Sequence, residues 1–377
     1  MTAIPTLPAP HGGALGGGAL GGDRVYLNTM LVELVKSHGS DLHLSAGAMP
    51  TVRVDGHLRP LPGYDTLDPA DTEMLVRAAA SDAQWQRFEA TQELDFSYSI
   101  AGVSRFRVNL YRQRGACGAT FRAIPHQIKP LEELGVPSAL ARFAHLPRGL
   151  VLVTGPTGSG KSTTLASMID LANRTRQAHI MTIEDPIEFL HDHKRCLVNQ
   201  REVGGDTPTF SSALKHALRQ DPDIILVGEL RDLETMSTAL TAAETGHLVL
   251  ATLHTQSATQ TIDRVIDIFP PHQQPQVRSQ LSMTLQGVVT QALVPRADRP
   301  GRVVVTEIMV GTPAIRSLIR EGKNHQIPTF IQSGGGEGML SFDQHLAERV
   351  RQHLVSMENG LTVCHSVDEF KRLAGRM

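Results

Sequence analysis

From Val25 onward apolar residues recur at helical spacing, with Leu27, Met30, Leu31, Leu34 and Val35 forming one face. The pattern then becomes alternation over 41–44, 51–54 and 57–59, which predicts three short strands. Asp55-Gly56 between the last two supplies a hairpin turn. A helical region over about 69–88 precedes three more alternating stretches at 94–100, 105–112 and 119–123. This mixture predicts a small α+β domain with a mostly antiparallel sheet over 24–123.

Further along, the runs at 149–154, 179–183, 224–227 and 247–253 are apolar on both faces and are separated by helix-length segments. Such runs predict a parallel sheet wrapped by helices, the core of an α/β domain over 138–377. Pro-bearing stretches at 124–130 and 135–137 predict a linker over 124–137. From Pro270 onward helical periods dominate, apart from a strand-like 302–308. The repeat GGALGGGALGG at 12–22 cannot bury enough apolar surface to offset its ordering entropy, so 1–23 is expected to be a disordered tail.

A chain of 377 residues suits two domains, since single cores rarely grow past about 250 residues. Its formal charge of −2, 4% aromatic content and single Trp give neither a basic footprint nor a stacking surface, so no nucleic-acid partner is expected. Three scattered cysteines support neither a disulfide framework nor a zinc knuckle. No apolar run is long enough to span a bilayer, and the chain is expected to be cytoplasmic with no transmembrane segment.

Gly155-Pro156-Thr157-Gly158-Ser159-Gly160-Lys161-Ser162-Thr163 follows the apolar run LVLVT and precedes a helical period, the context a phosphate-binding loop requires. Glycines let backbone N–H groups converge on phosphates, and the helix start adds a partial positive charge. Lys161 supplies a full charge toward the β and γ phosphates, and the Ser162 hydroxyl is placed to ligate Mg²⁺. The expected ligand is a nucleoside triphosphate with Mg²⁺.

Ligands of an open parallel sheet sit outside the carboxyl ends of its strands, so the residues that end each run are the candidates. After 180–183 come Glu184, Asp185 and Glu188, for which catalytic acids and a solvated Asp-Pro turn are competing readings. After 224–227 comes Gly228-Glu229 at the place of a metal-binding acid; with Gly where Asp is usual, Glu229 is expected to reach the metal through a water. His247 and His254 bracket the third run, and a six-residue strand separates them by about 20 Å. Both cannot touch one phosphate: His254 is the candidate sensor, and His247 suits capping or a neighbouring domain. His191, His193 and Cys196 lack a fourth ligand and are set aside as a metal site.

A hydrolase of this design still needs a cation for the transferred phosphoryl group. Arg105, Arg107, Arg112, Arg114 and Arg122 crowd one stretch of the first domain, and alternation puts Arg105 and Arg107 on one face; fingers for a neighbouring subunit and solvated surface arginines are competing readings for each. Thr312-Pro313 starts a helix whose Arg316 and Arg320 lie four apart, where like charges repel; a docking surface for an anionic partner and a merely solvated face are the competing readings.

These residues resemble the PilT-like type IV pilus retraction ATPases of the secretion-ATPase superfamily. The resemblance is carried by TIEDPIEF at 182–189, IILVGELRD at 224–232, GHLVLATLHT at 246–255, TIDRVIDIFP at 261–270 and AIRSLIRE at 314–321, and it covers about 25–340. It implies a PAS-like first domain, a RecA-like P-loop motor with C-terminal helices, and an ATP-hydrolysing hexamer that acts on an inner-membrane pilus platform. Glu188 and Glu229 would be the acidic pair, His247 and His254 the histidine pair, and Arg107 and Arg122 the arginines that face a neighbour's nucleotide. Assembly and secretion motors of the superfamily are the alternative, but they usually carry a longer N-terminal region and a four-cysteine zinc element.

Overall fold

The computed structural model describes residues 20–125 and 127–375. Of the expected tail, 1–19 lie outside the described residues, and 20–23 begin the first helix. The chain divides into two compact units, with the second beginning at Gln127.

The first unit runs α1 (Leu20–Lys36), β1 (Asp41–Ser45), β2 (Thr51–Val54), β3 (His57–Pro60), α2 (Pro69–Ala79), α3 (Asp82–Thr91), β4 (Glu93–Ile100), β5 (Ser104–Gln113) and β6 (Ala116–Ala123). Its strands form one antiparallel sheet in the order β3-β2-β1-β6-β5-β4. Asp55 and Gly56, at φ 50° and 83°, make the tight β2–β3 turn. The single helical region expected over 69–88 is two helices. Ser81 accepts from the Gln84 N–H, and the Gln84 side chain accepts in turn from the Ser81 N–H, a reciprocal cap that starts α3. Leu42, Leu44, Phe88, Phe106 and Phe121 are buried in this unit's core, which leaves the alternate positions on the other face of the sheet.

The second unit runs α4 (Ala141–Ala144), β7 (Gly149–Thr154), α5 (Lys161–Thr175), β8 (His179–Glu184), β9 (Leu197–Glu202), α6 (Phe210–Ala217), β10 (Ile224–Val227), α7 (Leu233–Glu244), β11 (Leu248–Leu253), α8 (Ala258–Asp267), α9 (Gln274–Thr284), β12 (Leu285–Pro295), β13 (Arg302–Val310), α10 (Pro313–Glu321), α11 (Ile327–Ser333), α12 (Phe342–Arg351), α13 (Met357–Val363) and α14 (Val367–Ala374). Its sheet has the order β13-β12-β7-β11-β10-β8-β9, parallel except for the β12–β13 pair. Every residue of β7, β10 and β11 is buried, as strands covered on both faces must be.

Two expectations need correction here. Helical periods do not fill 270–301: β12 is an eleven-residue strand beside β7, and its near-continuous burial erases the alternation that marks a strand in sequence. A Cβ on Gly287 would meet the Phe143 ring at 2.4 Å, so glycine lets β12 pass that close. The edge strand β9 also went unread. Finally, 127–137 is not free linker: Leu131 is buried in the second core, and the Ser167 hydroxyl donates to the Lys129 carbonyl at 2.6 Å.

Two histidines, His345 buried and His191 half-buried, each weaken the fold as pH falls, while the raised pKa values that burial gives Glu184 and Glu307 act in the opposite direction. His345 accepts the Thr306 N–H on Nδ1 at 2.9 Å, and burial, aided by Arg349, lowers its pKa to about 4. Burial likewise brings His191 down to about 4. Between the ordinary histidine value near 6.5 and 4, the unfolded chain binds protons that the folded chain refuses, so stability falls as pH falls through that window. The expected loss from pH 7 to pH 5 is about 4 kcal/mol for the pair. His345→Gln should remove about half of that contribution, so that chemical-denaturation stability falls less between pH 7 and pH 5 than in the wild type; an identical pH dependence in the two proteins would contradict it.

Candidate active site

Parallel register brings the ends of four neighbouring strands to one edge of the second sheet. Thr154 of β7 lies level with Leu253 of β11, Val227 of β10 with Ala251, and Ile183 of β8 with Val227. The residues that follow are the phosphate-loop glycines, His254, Glu229 and the 185–188 loop.

Gly155, Gly158 and Gly160 all have positive φ, at 138°, 78° and 88°. A Cβ on Gly155 would sit 2.2 Å from the Gln291 carbonyl, whereas one on Gly158 meets nothing within 4 Å. The first glycine therefore answers to close packing on β12, and the second to the turn itself. Pro156, Thr157 and Gly158 are exposed at the crest, while Ser159 is buried beneath it. Gly160 is the N-cap of α5 and no side chain caps that helix, so its first N–H groups, around Lys161, Ser162 and Thr163, are left for an anion. Lys161 is 8% exposed and donates Nζ to the Gly155 and Pro156 carbonyls at 2.9 and 3.1 Å. Burial lowers its pKa, and the charges of Glu229 and Glu188 oppose that shift, which ties both acids electrostatically to this lysine.

Glu229 is 19% exposed and both its oxygens are engaged, Oε2 by Arg231 at 2.6 Å and Oε1 by His254 Nε2 at 3.1 Å. Burial pushes its pKa up, but the bond and charge of Arg231, then His254, outweigh burial and hold it below the ordinary value. Glu188 is exposed; its N–H donates to Glu184 at 3.4 Å. Glu184 itself is buried, with a raised pKa from desolvation, and it accepts from Thr182 Oγ1 at 2.6 Å and Gln200 Nε2 at 3.1 Å. It anchors the loop that carries Glu188.

His247 is not brought to this place within the chain. It sits at the amino end of β11, where its N–H and Nδ1 both lie about the Ala242 carbonyl, at 3.1 and 3.0 Å, closing off α7. Arg105, Arg107 and Arg122 belong to the first unit. Arg105 and Arg107 share the face of β5 opposite the core, and Arg122 of β6 stands directly opposite Arg107. Arg122 pairs with Asp41 at 2.8 Å and Arg107 lies 3.8 Å from Asp95.

Of the expected Arg316–Arg320 pair, Arg316 is engaged within the chain, whereas Arg320 stays exposed. Arg316 donates Nε to the Gly311 carbonyl at 2.8 Å and Nη2 to the Gln286 side chain at 3.2 Å, so it ties α10 to the start of β12. Arg320 rests on the Ser317 hydroxyl at 3.1 Å, and that hydroxyl donates to Glu321 at 2.7 Å.

Two residues escaped the sequence reading. Gln291, 1% exposed on β12, donates Nε2 to the Ser159 carbonyl at 2.7 Å and so props the phosphate loop. A lone glutamine in the apolar run VVTQALV was the available signal. Arg231 was the other, two residues beyond Glu229.

No group of three or more His, Cys, Asp or Glu side chains among the described residues is arranged as a metal cage. Mg²⁺ keeps several waters and takes only one or two protein oxygens beside those of phosphates, so the Ser162 hydroxyl at the start of α5 would fit it directly, and Glu229, with both oxygens engaged, would fit it only through a water.

The family model for "Type II/IV secretion system protein" matches residues 24–300. This chain belongs to that family. The match spans the arginine-bearing sheet, the phosphate loop, Glu229 and His254, and ends before α10. Over 333 residues the chain is 54% identical to the type IV pilus retraction ATPase PilT of Pseudomonas aeruginosa, covering 88% of this chain and 96% of that protein. It is 48% identical over 309 residues to a twitching motility protein of Neisseria gonorrhoeae, covering 82% of each. The crystal structure of the pilus retraction motor PilT with bound ADP superposes with a TM-score of 0.85 at 45% identity, over 92% of this chain and 98% of that one. The α/β fold with its antiparallel N-terminal sheet and C-terminal helices is the one that structure has. Among the described residues no helix is long and apolar enough to cross a membrane.

Proposed function

We propose that this secretion-family chain is a Mg²⁺-dependent ATPase that retracts type IV pili, working as a hexameric ring in the cytoplasm against a platform protein of the inner membrane. One observation carries the chemistry: Lys161, Glu188, Glu229 and His254 converge at the carboxyl edge of four parallel strands. The relationship to the retraction ATPase and the twitching motility protein supports the biological assignment.

In this reading the backbone of 155–163 cradles the phosphates, and Lys161 leaves its two carbonyls for the β and γ oxygens. Ser162, with Glu229 through a water, would hold Mg²⁺, which supplies charge neutralisation across the β and γ phosphates. Glu229, kept ionised beside Arg231, and Glu188 orient the attacking water and take its proton. His254 links Glu229 to the third strand end and reports the γ-phosphate. Arg105, Arg107 and Arg122 are the charge-neutralising donors for a neighbouring subunit's nucleotide. Arg107 and Arg122 face each other across β5 and β6, where like charges repel, and an anion between them relieves that repulsion.

Deleting the gene from its host tests the assignment. Cells that keep surface pili in excess and lose twitching are the expected result; bald cells would make the chain an assembly or secretion motor instead.

A further inference from the structure

The outer face of the first sheet carries a charged row that runs through four strands. Arg53 of β2 lies opposite Asp41 of β1, Asp41 opposite Arg122 of β6, and Arg122 opposite Arg107 of β5. Directly opposed residues share a face, so one carboxylate sits in a line of three guanidinium groups. That carboxylate is fixed at both ends. Its Oδ2 accepts the Ser40 hydroxyl at 2.7 Å and its Oδ1 accepts Arg122 Nε at 2.8 Å. The Asp41 side chain is 5% exposed, whereas that of Arg122 is 67% exposed. The acid is thus embedded in the sheet and the arginine extends away from it. Among the described residues the terminal nitrogens of Arg122 have no hydrogen-bond partner, so the fork that binds phosphate in a bidentate manner is open.

We infer that Asp41 is a positioning residue for hydrolysis: it fastens the Nε side of Arg122 to β1, so that the terminal nitrogens are presented to a phosphate in one fixed orientation. A long side chain on an exposed strand otherwise samples many rotamers, and ordering it at the moment of reaction slows turnover. Asp41 removes that disorder in advance. Among the described residues Arg107, opposite Arg122, has only the 3.8 Å contact with Asp95, so the two arginines are restrained unequally and Arg122 is the better aimed. The inference rests on the reading of Arg122 as a donor to the nucleotide of a neighbouring subunit.

Steady-state ATPase assays on the assembled full-length protein test it through a double-mutant cycle. Asp41→Ala lowers kcat about tenfold with KM within about twofold, because orientation and not nucleotide binding is lost. Asp41→Asn, which keeps an oxygen acceptor for Nε, recovers part of that loss. In an Arg122→Ala background, Asp41→Ala changes kcat by less than about twofold. Wild-type kcat in Asp41→Ala alongside a slow Arg122→Ala overturns the positioning role, as does an equal loss in both backgrounds, which would mark a merely structural acid. A wild-type rate in Arg122→Ala instead removes the parent reading of the arginine, and the inference with it. Should Asp41→Ala not fold, the same cycle with Asp41→Asn decides: an effect confined to the Arg122 background supports the role, and an uncoupled effect overturns it.

Discussion

Lys161→Ala abolishes turnover while the fold survives. In the structure the Lys161 ammonium holds only two carbonyls of its own loop, at 2.9 and 3.1 Å, so its removal costs about 1 kcal/mol or less of stability. The rest of the loop geometry stands on glycine φ values and on Gln291, which the substitution leaves alone. What disappears is the full charge aimed at the β and γ phosphates, in a partly desolvated site where each such donor is worth 10²–10³ in rate, by order of magnitude. ATP affinity is expected to fall together with turnover, because the charge meets the phosphates in the ground state as well as in the transition state. Equilibrium binding of a fluorescent ATP analogue and phosphate release, measured on the same preparation, check both halves. Retained turnover would refute the role assigned to the loop.

Glu229→Gln separates binding from chemistry in the opposite way. The amide keeps the size of the side chain and can still meet His254 and Arg231, so the loop after β10 is expected to keep its shape. It can neither accept a proton from water nor carry the negative charge, and kcat falls by about 10²–10⁴. KM changes little, since Glu229 does not hold the phosphates directly. The variant should therefore trap ATP, and cells carrying it should keep their pili and not twitch. A variant with near-normal phosphate release would pass the role of base to Glu188.

What could be read in advance followed the range of the interaction. The phosphate loop was legible because its geometry is local: glycine spacing, a preceding apolar strand and a following helix all lie within about twenty residues. The parallel core was legible because β7, β10 and β11 are buried on both faces and read as unbroken apolar runs. The same burial hid β12, whose run follows directly on α9 without a turn signal between them. Gln291 braces a loop 132 residues away, and Asp41 holds an arginine 81 residues away. No periodicity along the chain reveals such a partner. Arg316 shows the reverse failure: two like charges on one helix face suggested an external anion, yet the Gly311 carbonyl just after β13 and the Leu285 carbonyl at the start of β12 take up Arg316. Arg231 lay within a quoted motif, but its grip on Glu229 is set by the loop's path.

Hydrolysis at this site depends on where two acids lie around a bound triphosphate. A crystal or cryo-EM structure of the full chain with Mg²⁺ and a non-hydrolysable ATP analogue measures this. It should place the Glu188 and Glu229 carboxylates on the same side of the terminal phosphorus, each within one bridging water of it, roughly 4–6 Å away, with Lys161 moved onto the β and γ oxygens. Carboxylates more than about 10 Å from that phosphorus, or a Lys161 still bound to the Gly155 and Pro156 carbonyls, would contradict it.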